Sequence, residues 1–113
     1  PTLDSRLVDG RAPDVLIISR DKEFDTTIPL FNIKNRKVFI ESDFSLLSSY
    51  KNIMIEGTSS MYELSREYVD MYLCYVAPTL GGTEIFNTNE DKFEILNILQ
   101  ETQDIIMWLK RER

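Results

Sequence analysis

Three short apolar runs constrain this chain most: "DVLIIS" at 14–19, "KVFI" at 37–40 and "NIMIEG" at 52–57. Each is continuous rather than alternating, rich in β-branched residues and bounded by polar positions. Each is too short for a helix. Such runs suit strands covered on both faces, as in the sheets of α/β proteins. The predicted strands are 14–19, 37–40 and 52–57. The stretch "DKEFDTTIPLFNIKN" (21–35) has no clear period and contains Pro29, so it reads as a connection. "ESDFSLLSSY" (41–50) has room for one or two helical turns, with Ser42 or Asp43 as cap.

One helix is predicted after Gly57. Ser60 and Glu63 stand in capping-box spacing, and Met61, Leu64 and Tyr68 fall on one helical face. "DMYLCYVAP" (70–78) reads as a strand that stops at Pro78, and "TLGGT" is a turn in which Gly81 and Gly82 need no function. "TEIFN" (83–87) reads as a short strand. "KFEILNILQE" (92–101) and "DIIMWLKRE" (104–112) form a C-terminal antiparallel hairpin about "TQ"; a helix over Gln100–Trp108 is the competing reading. The fold class is therefore α/β: a mixed, mostly parallel sheet with a C-terminal antiparallel hairpin, in one domain over residues 1–113. So few helices cannot cover both faces of such a sheet. A preceding part of the chain or a partner subunit is expected to supply the rest.

Composition narrows the chemistry. The 113 residues allow one core. There is no histidine and a single cysteine, Cys74. Histidine-dependent triads, histidine-ligated metals, multi-cysteine zinc sites and internal disulfides are excluded. Cys74 has no cationic sequence neighbour to favour its thiolate; with Tyr72 and Val76 it reads as strand packing. Trp108 reads as core or interface. Residues 52–113 carry the whole net charge of −6. An acidic half argues against nucleic acid as a general partner. No apolar run approaches a membrane span.

The joint "IMIEGTSSMYEL" (53–64) holds the clearest candidate site. Gly57 permits close backbone approach or a positive φ. The helix that follows offers unpaired N–H groups and the positive end of its dipole, and Thr58, Ser59 and Ser60 add hydroxyls. Glu56, at the carboxyl end of a predicted strand, occupies the edge where open α/β sheets bind ligands. The plain alternative is that Gly57 relieves crowding, the serines cap and Glu56 is solvated.

Several segments fall in a familiar order: "PTLDSRL" (1–7), "DVLIISR" (14–20), "IMIEG" (53–57), "VDMYLCYVAPTLGG" (69–82) and the closing hairpin. The chain resembles the C-terminal part of the reductase domain of the bifunctional riboflavin-biosynthesis deaminase/reductase, with its dihydrofolate-reductase-like fold. The resemblance implies NADPH-dependent reduction of the ribosyl group of 5-amino-6-(5-phosphoribosylamino)uracil to ribityl. It implies substrate contacts at Leu3, Arg6 and Glu56, with Arg6 pairing the substrate phosphate. It implies cofactor contacts at Ser19, Gly57, Thr58, Ser59, Ser60 and Met61, and no metal or single catalytic side chain. It further implies a cytoplasmic homodimer formed through the C-terminal strands.

The departures bear on activity. Thr58 stands where the family usually has a second glycine, and the segment before "IMIEG" is short. "PTLDSR" lies mid-domain in the family, so the chain alone is expected to be a poor enzyme. Two alternatives keep the fold: a non-catalytic dimerisation or regulatory module, and a related NADPH reductase with another small substrate.

Overall fold

The computed structural model describes residues 2–5, 7–82 and 91–113. Within them the chain divides into two compact units, Pro1–Ile53 and Met54–Arg113.

In the first unit, β1 (Val15–Ile18) pairs in parallel with β2 (Val38–Glu41). The ladder places Val15 opposite Val38 and Ile18 opposite Glu41. Lys37 O accepts from Val15 N at one end, and Glu41 O accepts from Ser19 N at the other. The connection between them is irregular except for a 3-10 turn at Pro29–Phe31, where the fixed φ of Pro29 suits the first position. A second 3-10 turn spans Ser45–Ser49. The N-cap of that turn is Phe44, not Ser42 or Asp43, and Asp43 Oδ1 instead accepts from Ser45 N at 2.9 Å from just ahead of it. The core of this unit is small: Ala12, Val15 and Leu30 are buried.

Asp14 ties the start of β1 to its surroundings. Its carboxylate accepts from Lys37 N at 3.0 Å, from Tyr50 Oη at 2.9 Å and from Arg11 at 3.2 Å. Those donors, Lys37 N–H foremost, hold the Asp14 carboxyl below the usual range.

The second unit begins with α1 (Ser59–Ser65) and continues with β3 (Met71–Val76), β4 (Phe93–Glu101) and β5 (Asp104–Arg111). The strands form one antiparallel sheet in the order β3-β5-β4. The hairpin matches the sequence reading to within a residue or so, and Gln100–Trp108 is strand rather than helix. The two-residue link sets Thr102 at φ +56°. The register shifts between Ile95 and Asn97, the mark of a bulge.

Three expectations need correction. The sheet is not mostly parallel: among the described residues one pairing is parallel and two are antiparallel, in separate sheets. The segment 52–57 is not a strand. Among the described residues no strand pairs with it, Ile53 and Met54 are 46% and 80% exposed, and an apolar run without a ladder partner has no strand to join. The predicted helix face is rotated. Leu64 and Tyr68 are exposed, while Ser65 is fully buried, with Met61 and Tyr62 half-buried. The predicted strand at 83–87 lies outside the described residues.

The rotation has a packing cause. The Tyr62 ring lies 5.5 Å from that of Tyr72 on β3, which meets Phe93 of β4 edge-on at 5.2 Å. Aromatic rings at these separations favour tilted and T-shaped pairs. Tyr62 therefore turns inward over the sheet. Ser65 Oγ returns its hydrogen bond to Met61 O at 2.7 Å, which satisfies the buried hydroxyl within the helix.

Candidate functional site

The joint before α1 is an exposed turn. Glu56, Gly57, Thr58 and Ser60 are exposed, and Ser59 and Met61 are half-buried. Thr58 is the N-cap of α1, not Ser60, so the Ser60–Glu63 capping box does not form; Ser60 is already inside the helix. Thr58 makes no side-chain capping bond. Its φ of −100° is comfortable for a β-branched residue, so threonine in place of a glycine brings no backbone strain here. The first intrahelical bond runs from Tyr62 N to Thr58 O. The N–H groups ahead of Tyr62 therefore point out of the helix start.

Gly57 has a specific reason to be glycine. Its φ is +154°, and a Cβ built there would lie 2.5 Å from Met61 Cβ. No real side chain tolerates that approach. The glycine lets the chain pass tightly over Met61 as α1 begins. That packing accounts for Gly57 without a ligand. The Thr58 and Ser60 hydroxyls are exposed beside the first turn of α1, a place where anionic groups can be received. The half-buried Met61 lies against Gly57.

The remaining candidates belong to the first unit. Ser19 closes the carboxyl end of β1, where its Oγ accepts from Asp21 N at 3.1 Å. Nearby, Lys22 Nζ donates to Ile40 O at 2.8 Å and lies 3.9 Å from Glu41. This carboxyl edge of a parallel pair is the ordinary ligand edge of an α/β sheet. Leu3 is fastened from the opposite edge. Arg36, just before β2, donates to Thr2 O at 2.7 Å, to Leu30 O at 3.2 Å and to Leu3 O. Leu3 has φ +54°. Arg6 lies outside the described residues. Glu56 through Met61 belong to the second unit.

Sequence reasoning missed two polar networks. Arg36 is one. The other centres on Asp91, which accepts from Tyr62 Oη at 2.6 Å and from Arg66 at 2.8 Å, with Arg111 at 3.9 Å. The Tyr62 hydrogen bond and the two guanidiniums hold the Asp91 carboxyl below its ordinary value. Burial, and then Asp91, push the Tyr62 hydroxyl up. Glu67 adds a 3.4 Å contact to Arg111. Tyr62 and Arg66 share a helical face at i,i+4, but no spacing rule joins them to residues 91 and 111, so only the fold brings the four together. Cys74 is half-buried, and burial pushes its thiol up, away from nucleophilic use.

Among the described residues, no group of histidine, cysteine or carboxylate side chains is placed to hold a metal ion. No helix there is long and apolar enough to cross a membrane.

No protein-family model matches the sequence, and no curated protein matches it. Two solved structures share the fold. One is a diaminohydroxyphosphoribosylaminopyrimidine deaminase/5-amino-6-(5-phosphoribosylamino)uracil reductase from Thermotoga maritima, with a TM-score of 0.75 at 15% identity over 98% of this chain. The other is RibD of Acinetobacter baumannii, with a TM-score of 0.54 at 20% identity over 87% of this chain. The chain spans 41% and 37% of the length of those two chains. At such identity the likeness establishes the fold: a mixed α/β arrangement shared with part of these enzymes.

Proposed function

We propose that this chain contributes to an NADPH-dependent reductase that converts the ribosyl group of 5-amino-6-(5-phosphoribosylamino)uracil to ribityl, in riboflavin biosynthesis. The observation that carries the reading is the fold likeness over nearly the whole chain to a deaminase/reductase, joined to an exposed donor-rich turn at 56–60. A dihydrofolate-reductase-like domain and a cytoplasmic setting go with it. Bound NADPH would supply the hydride for the sugar carbon. The chain's own part is to bind and orient. Thr58, Ser59 and Ser60, with the first-turn N–H groups, hold phosphate oxygens. Ser19 adds a contact at the carboxyl edge of β1. Gly57 and Met61 shape the turn beneath. Glu56 accepts hydrogen bonds from the substrate, and the family resemblance adds Leu3 and Arg6 as further substrate contacts.

The test is a calorimetric titration of the folded chain with NADPH, comparing wild type with Ser60→Glu. Ser60 is exposed in the first turn. A carboxylate there suits the helix dipole yet repels a phosphate. Weaker binding in a variant that melts no lower than wild type supports the seat. Equal binding by both proteins removes it.

A second reading has its own observation. Leu73, Tyr75 and Trp108 share one face of the three-stranded sheet and are 42%, 65% and 40% exposed. Such a surface suits a partner, and a second copy is the partner proposed. If the folded chain dimerises but binds no NADPH, a non-catalytic assembly module is the better description. If NADPH binds but the phosphoribosyl pyrimidine does not, a related reductase with another small substrate is.

A further inference from the structure

We infer that Arg36 is a positioning residue for the segment proposed to contact the substrate, fixing it through the main-chain carbonyls of Thr2 and Leu3. The inference rests on the proposed role of that segment in binding a phosphorylated sugar. Arg36 comes 33 residues after Leu3, and its half-buried guanidinium donates to Thr2 O, Leu3 O and Leu30 O. The bonds of its two terminal nitrogens all go to backbone carbonyls, while its buried Nε has no partner. It pairs with no carboxylate among the described residues. An arginine that serves stability alone is usually placed on an acid; one that collects carbonyls fixes the course of a chain.

The segment needs such fixing. Leu3 holds φ +54°, a region a branched apolar residue avoids. That conformation persists only where the surroundings over-determine it, and the Arg36 bonds to the carbonyls of residues 2 and 3 do so. Further along, Val8 N donates to Ser5 O at 3.1 Å and Ser5 Oγ to Gly10 O at 3.0 Å, which closes the segment at its other side. Arg36 therefore sets the course of the main chain at Thr2 and Leu3. Ser19 follows the far end of β1, so the cofactor contact proposed there is independent of the clamp. Lysine offers a point charge instead of a planar fork and cannot bridge the carbonyls of two segments in the same way.

The experiment uses the full chain with Arg36→Lys and Arg36→Met variants. Each is titrated with ribose 5-phosphate and separately with NADPH, with circular dichroism as the fold control and amide exchange over residues 2–5. The expected result is folded variants that keep NADPH affinity within about twofold of wild type. Arg36→Met loses about tenfold or more in ribose 5-phosphate affinity, and Arg36→Lys falls between. Exchange at residues 2–5 accelerates in the same order. Unchanged sugar-phosphate affinity in both variants overturns the positioning role and leaves the reductase reading standing. A wild type that binds NADPH but no ribose 5-phosphate overturns the role of the 2–5 segment and the inference with it. A folded wild type that binds neither removes the reductase reading as well. Collapse of both affinities together with the dichroism signal in Arg36→Lys makes Arg36 merely structural, which also overturns the inference.

Discussion

The Tyr62 hydroxyl donates to Asp91 Oδ2 across 2.6 Å and joins the middle of α1 to the residue just ahead of β4. Arg66, the C-cap of α1, reaches the other oxygen of the same carboxylate at 2.8 Å. The helix is thus bolted to the sheet by one acid, beneath the tilted pair of Tyr62 and Tyr72.

The bolt predicts acid sensitivity with a definite sign. The folded-state pKa of Asp91 lies below its unfolded value. Its contribution is therefore full above the ordinary aspartate range near ~4 and is lost as pH falls through the lowered folded value. Urea midpoints measured from neutral pH downward should show Asp91→Asn less stable than wild type at pH 7, where Arg66 and Arg111 lose their carboxylate. The two curves should converge in acid. Asp14, Asp25 and Asp43 are also held low, so the variant retains some acid dependence. Two curves that stay parallel would show that Asp91 carries none of it.

Gly57→Ala should destabilise the second unit rather than merely blunt ligand binding. The added Cβ meets Met61 Cβ at 2.5 Å at a backbone φ of +154°. The conformational term alone is about 1–3 kcal/mol. Denaturant unfolding monitored by Trp108 fluorescence measures it. An equally stable Gly57→Ala protein that had lost NADPH affinity would instead make Gly57 part of the phosphate contact.

How much of this was legible in the sequence depends on what each element leans on. The hairpin was readable because both of its strands carry dense β-branched and aliphatic runs and the "TQ" link is local. β1 and β2 were readable for the same reason. Residues 52–57 look just as strand-like, but a strand is defined by its neighbour, and sequence does not show that none pairs there. The helix position was legible and its inward face was not. Leu64 is the more apolar choice, yet Tyr62 faces in because Tyr72 and Asp91 await it. At the candidate site, the Gly57 turn was visible as a turn, while its cause, Met61, was not. Arg36 and Asp91 gave no local signal, since most of their partners lie 20 to 34 residues away in the chain.

Thr102→Gly should stabilise the protein. Thr102 is the first residue of a two-residue hairpin link and holds φ +56°, where a β-branched residue is strained. Glycine is the favoured residue at such a position. The side-chain hydrogen bond that would be lost is the exposed one from its hydroxyl to Glu101 O. A net gain of about 0.5–1 kcal/mol is expected after the entropy of the more flexible unfolded chain, read as a higher melting temperature. A lower one would show that the hydroxyl bond outweighs the strain.

The exposed sheet face sets the last expectation. Leu73 of β3 lies directly opposite Trp108 of β5, and both stand 40% or more exposed. Tyr75 and Met71 flank them on the same face at 65% and 48%. Leaving such a surface in water forgoes burial that a self-complementary two-fold contact would recover. Buried aromatic anchors carry most of the energy in such contacts. If the second copy docks here, Trp108→Lys should weaken dimerisation by roughly a hundredfold, the effect of losing an anchor of about 3 kcal/mol. Sedimentation equilibrium across a concentration series measures it. The fold should survive, because Trp108 is only half-covered within the chain. A dimer that persists unchanged in Trp108→Lys would shift the interface to the outer strands of this sheet among the described residues, β3 or β4, where Tyr75 and Ile98 offer the next candidates. A wild type that stays monomeric at every concentration would remove the dimer from the proposal altogether.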